Sequence, residues 1–89
     1  MDTYENDADT LVRALLATVN GERVAAGLTV AELAEKSGVP KRTLDRYLGP
    51  GGGDIPNKML TKVAKALGVT ASLLWARAEE RAAREESRD

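Results

Sequence analysis

The chain has 89 residues, a net charge of −1, and neither cysteine nor histidine. Without cysteine there is no disulfide framework, thiolate nucleophile or zinc ribbon. Without histidine, the commonest general base at neutral pH and the commonest metal ligand are also missing. One small domain is expected, with a core built from Leu, Val and Ala, because there is no Phe, one Trp and two Tyr.

The N-terminus is acidic and lacks the basic-then-apolar pattern of a signal peptide, and no stretch approaches 18 apolar residues. A cytoplasmic protein that makes no membrane contact is expected. The charge is unevenly spread. Residues 1–10 hold four acids and no base, whereas residues 36–66 hold seven bases and two acids. A positive centre between neutral and acidic ends is the asymmetry that attraction to phosphate requires. Solvated helix faces are the plainer alternative.

Residues 1–8 are polar and acidic and read as a loose tail. Asp9 or Thr10 can cap the first helix. Val12, Leu15, Leu16 and Val19 then follow at i, i+3, i+4, i+7, one apolar face. Gly21 weakens that helix by about 1 kcal/mol relative to Ala, and Gly27 is placed to end it. Thr29 and Glu32 form a T-x-x-E capping box for a second helix. That helix runs roughly two turns to Gly38, where a tight turn needs positive φ. Val39 can enter the core, and Pro40 sets φ for a third helix. Leu44, Tyr47 and Leu48 give the third helix a buried side, leaving Lys41, Arg42, Asp45 and Arg46 on the other.

GPGGGD at 49–54 is a loop. Asp54 or Asn57 is expected to cap a fourth helix, with Pro56 tolerated in its first turn. Leu60, Val63, Ala64 and Leu67 repeat the helical spacing, and Gly68 ends it. Thr70 caps a fifth helix with Leu73, Leu74 and Trp75 available for packing. Residues 80–89 are a charged extension or tail, so the folded unit is expected over residues 9–79. No segment alternates as a strand, and the fold class is all-α with five helices.

At residues 28–48, LTVAELAEKSGVPKRTLDRYL resembles the helix-turn-helix of the phage-repressor and Cro-like transcription regulators. Ala34, Gly38, Val39 and Leu44 stand where that family has its small helix-contact residue, turn glycine, buried turn residue and buried recognition-helix residue. MLTKVAKALGVTASLLW is similar to the family's fourth helix and the start of its fifth, so the resemblance covers roughly residues 11–76. It implies a compact lambda-repressor-like domain that binds double-stranded DNA as a transcriptional regulator, a repressor by the family's habit, with helix 41–48 in the major groove.

On that resemblance Lys41, Arg42, Thr43, Asp45 and Arg46 contact bases. Arg donates a bidentate pair to guanine O6 and N7. Asp45 either accepts from cytosine N4 or holds Arg42 or Arg46 in place. Lys36, Lys58 and Lys62 contact phosphate, as do helix N-termini. No cofactor, small-molecule ligand or catalysis is implied, and a homodimer through the C-terminal helix would suit two half-sites. Two positions depart from the family. Val30 stands where a phosphate-contacting Gln is common, and the loop before the fourth helix is uncharged until Asp54. The missing Gln at Val30, the overall acidity and the acidic ends motivate an alternative, an antitoxin-like or antirepressor module that keeps the fold without specific DNA binding.

Other chemistries fail on their residues. The glycine run contains neither G-x-x-x-x-G-K-[ST] nor G-x-G-x-x-G, and no strand precedes it. The acids at 79–80 and 85–86 are flanked by Arg81, Arg84 and Arg88, the pattern of helix-surface ion pairs rather than a carboxylate catalyst. Tyr47 reads as a core residue rather than a stacking platform, and Trp75 as a cap on the core rather than an interface residue.

Overall fold

The computed structural model describes residues 3–50 and 53–86. Its elements are five helices: α1 (Thr3–Ala25), α2 (Val30–Ser37), α3 (Lys41–Leu48), α4 (Asn57–Ala66) and α5 (Ala71–Glu86). Among the described residues there is no strand, and no helix is long and apolar enough to cross a membrane. Helix α1 packs along α5, while α2 packs on both α3 and α4.

Helix α1 starts earlier than a cap at Asp9 or Thr10 would place it. Its first turns run through residues 3–8, which the composition assigned to a loose tail. These residues include no Gly or Pro to stop a helix. At the other end the Arg23 guanidinium donates to the Leu28 carbonyl at 2.6 Å and to Asn20 Oδ1 at 3.0 and 3.1 Å. This half-buried side chain pins the turn between α1 and α2, so its donors are spent inside the fold.

The α2 start follows the expected capping box. Glu32 N–H donates to Thr29 Oγ1 at 3.1 Å, and Thr29 N–H donates to Glu32 Oε1 at 2.8 Å. The hydrogen bonds from Thr29, backbone first and side chain second, hold the Glu32 carboxyl below its ordinary pKa because they favour the charged form. Helix α2 stops at Gly38, whose φ of +77° lies in the left-handed region. Its N–H donates to the Ala34 carbonyl at 2.9 Å, closing the helix as an αL cap. A Cβ would strain that conformation.

The core draws on every helix. Leu15 and Val19 of α1, Leu33 of α2, Leu44 of α3, Leu60 and Val63 of α4 and Leu74 of α5 are almost wholly buried. Val39, in the turn between α2 and α3, joins them at 3% exposure, so the turn itself is fastened from inside. Val12, Tyr47, Leu48, Leu67 and Trp75 are only half-buried. Leu73 lies on the surface. Ala78 and Ala82 continue the α5 contact toward α1, so α5 buries a narrow strip of small residues beyond the point where its apolar pattern fades. Residues 87–89 of the expected tail, with residues 1–2 and Gly51 and Gly52 of the expected loop, lie outside the described residues.

Candidate nucleic-acid interface

Helix α3 has only eight residues, and its two sides are sharply divided. At 100° per residue, Lys41, Asp45, Arg42 and Arg46 fall within an arc of roughly 140°. All four are exposed. Leu44, off the arc, is 1% exposed; half-buried Tyr47 lies opposite the arc and half-buried Thr43 at its flank. The buried Leu44 and Val39 therefore fix which way the basic arc points.

Within the arc, Lys41 Nζ pairs with Asp45 Oδ2 at 2.8 Å. This corrects the expectation that Asp45 would hold Arg42 or Arg46. A helix brings i and i+4 side chains together, and Lys41 is the base at that spacing. The Arg46 guanidinium lies over the Tyr47 ring, 5.5 Å from its centroid, within cation–π range. Half-buried Tyr47 thus also carries its neighbour's guanidinium on its ring. Among the described residues Arg42 has no acidic partner.

The end of α3 is set by close backbone approach. Gly49 N–H donates to the Asp45 carbonyl at 3.0 Å. A Cβ on Gly49 would sit 2.8 Å from that same oxygen, nearer than such atoms pack. Any larger residue there must shift the last turn, the one that carries Arg46.

A groove of about 210 Å³ runs between the α2–α3 turn and the start of α4, lined by Val39, Pro40, Pro56, Lys58, Met59 and Lys62 among others. It brings Lys58 and Lys62 beside the front of α3. Lys36 stands exposed on the last turn of α2 and does not line this groove. Both helix starts at the groove share a further property. The N-cap of α3 is Pro40 and that of α4 is Pro56, and neither start has a side-chain cap. Neither Asp54 nor Asn57 caps α4 as expected, because proline holds the cap position and offers no side-chain acceptor. The first N–H groups of both helices are left open to the surface, where the helix dipole favours an anion. The signal was present in the sequence as two Pro-x pairs, Pro40-Lys41 and Pro56-Asn57, each opening an apolar-periodic run.

The departure at Val30 also has a structural reason. Val30 is half-buried and packs against the core, so the start of α2 contributes apolar contact there instead of a polar donor.

Comparison with known proteins supplies an independent frame. The helix-turn-helix family matches residues 22–74, more than half of the chain. The crystal structure of the clp gene regulator ClgR from Corynebacterium glutamicum superimposes with a TM-score of 0.78 at 29% identity, covering 88% of this chain and 82% of that one. No match is found among curated proteins.

Proposed function

This chain belongs to the Cro/C1-type helix-turn-helix family of DNA-binding transcription regulators, and from that premise we propose that it reads a specific duplex site with α3 in the major groove. The observation that carries the reading is the convergence at one groove. Lys58, Lys62 and the two uncapped helix starts meet there, the start of α3 being the one that opens into its exposed basic arc.

In this reading Arg42 and Arg46 donate to guanine edges. Arg46 is steadied by the Tyr47 ring beneath it. Lys41 and Asp45 act as a pair, with Asp45 tempering the ammonium and keeping an oxygen available to a cytosine amino group. Thr43, at the flank of the arc, reaches a thymine methyl. Lys36, Lys58 and Lys62, with the N–H groups that open α3 and α4, contact phosphates and set the register of α3 along the groove. The similar structure is that of a gene regulator, which supports the regulatory part. We assign repression, since occupancy of a promoter site suffices for it and needs no contact to polymerase.

Titration of binding against salt tests this arrangement. Each phosphate contact released lowers the slope of log K against log salt by about 0.9 for duplex DNA. Lys58→Ala and Lys62→Ala should each reduce the slope by about one while weakening all sequences alike. Unchanged slopes in both variants would remove α4 from the interface. A reporter carrying the bound site across its promoter should lose transcription; a rise would assign activation instead.

A further inference from the structure

A second cleft lies at the other end of α3, between its last turn and the middle of α1. It is about 390 Å³, within the usual size of small-molecule sites. Its floor is apolar. Leu16 of α1, only 7% exposed, and Leu48 of α3 line it. Ala17 and Gly49 lie beside them and add almost no side-chain volume. Tyr47 is the one aromatic residue of the lining.

The polar side chains of the lining are donors. Arg13 and Asn20 stand on one face of α1, with Ala17 between them. Arg13 is exposed and makes no ion pair among the described residues. Its hydrogen bond to Thr10 Oγ1 is long, at 3.5 Å. The Asn20 carboxamide oxygen accepts from Arg23, so the Asn20 amino group is the end left to face a ligand. No carboxylate lines the cleft. One guanidinium, a further donor and no acid select an anion. The apolar floor and the aromatic ring select an anion that carries a flat apolar body, since a bare phosphate would lose its water there without gaining hydrogen bonds.

We propose that this cleft binds a small organic carboxylate with a flat ring, the carboxylate on Arg13 and the Asn20 amino group, the ring against Tyr47, Leu16 and Leu48. The cleft adjoins the reading helix. The Tyr47 ring carries the Arg46 guanidinium 5.5 Å from its centroid, and Gly49 closes the last turn of α3 on the Asp45 carbonyl. An anion seated there lies within about a Debye length of Arg46, roughly 8–10 Å, and attracts a guanidinium otherwise directed at DNA. On the DNA reading, which this consequence rests on, ligand and duplex oppose each other, and by linkage each weakens the other by the same factor.

Titration of the full chain with indole-3-acetate, followed by amide NMR shifts, tests the site without DNA. The probe should bind with a dissociation constant of about 1 mM or tighter and shift Arg13, Ala17, Asn20, Tyr47 and Gly49. Indole-3-acetamide keeps the ring and loses the charge, and should bind at least ~tenfold more weakly. Arg13→Gln should remove that preference. Ala17→Leu, which fills the cleft from an exposed position, should weaken both probes. The comparison of the two probes on wild type stands even if a variant fails to fold. No saturable shift at these residues overturns the proposal. So does equal affinity for acid and amide, or a folded Arg13→Gln variant that keeps the wild-type preference. With duplex present, saturating indole-3-acetate should weaken DNA binding about fivefold. Probe binding with unchanged duplex affinity overturns the coupling to α3. A chain that binds no duplex even without the probe is a failure of the DNA reading, and the first titration still decides the site.

Discussion

Two pairs of helix starts show how this small chain divides its polar groups. The starts of α2 and α5 are closed by threonine. Thr29 forms a reciprocal box with Glu32, and Thr70 Oγ1 accepts from Leu73 N–H at 3.0 Å. The starts of α3 and α4 are opened by Pro40 and Pro56, which offer no side-chain acceptor. The closed starts satisfy their first N–H groups locally and so hold the scaffold. The open starts leave theirs at the surface, side by side at the groove that carries Lys58 and Lys62. On the proposed reading, stability and recognition fall to different helices, and one residue at each start makes the difference.

The contrast can be broken by exchanging those residues. Pro40→Asp and Pro56→Asp would give α3 and α4 the acceptor they lack, with a negative charge facing the phosphate. Each should weaken DNA binding about tenfold, roughly 1.4 kcal/mol, and the double variant further. The thermal midpoint should change little. Fluorescence titration of labelled duplex beside a melting curve separates the two effects; affinity that survives both changes would mean the open starts face no phosphate.

The converse exchange acts on the scaffold. Thr29→Ala removes one half of the capping box and should cost about 1 kcal/mol of stability. Chemical denaturation would show it as a lower midpoint with an unchanged slope, while the folded fraction keeps its DNA affinity. A loss of affinity beyond the unfolded fraction would bring the start of α2 into the interface.

The smallest expected effect concerns the other half of the box. The Glu32 carboxyl is held below its ordinary pKa by Thr29. Its contribution is therefore present above the ordinary glutamate value and is lost as pH falls through the depressed one. Wild type and Glu32→Gln should differ most at neutral pH and converge in acid. A stability difference that stayed constant down through the acid range would contradict the charge-based account of the box.

Much of the scaffold was legible because its determinants are local. Thr29 with Glu32, Gly38 with its left-handed φ, and Leu44 opposite Arg42 all lie within a few residues of what they control. The basic arc of α3 was legible for the same reason. What escaped was either ambiguous locally or made at a distance. The acidic residues 3–8 have the composition of a tail yet continue α1, because helix propagation needs only the absence of a breaker once a packed segment has nucleated it. Proline at positions 40 and 56 reads as a boundary without showing that it replaces a cap. Ala82 carries too little apolar surface to mark a face, and its burial depends on α1 lying alongside. The Glu22–Arg77 pair joins residues 55 apart in sequence, and no local pattern announces it.

The central claim is that the exposed arc of α3 reads bases. Selection of bound sequences from random duplex DNA at near-physiological salt, run in parallel on wild type, Arg42→Ala and Arg46→Ala, tests it most directly. Wild type should enrich one motif. Each variant should lose about 1–3 kcal/mol on that motif and relax its preference at the positions its arginine reads. A wild-type pool with no enrichment, or an identical motif enriched equally by both variants, would contradict the account.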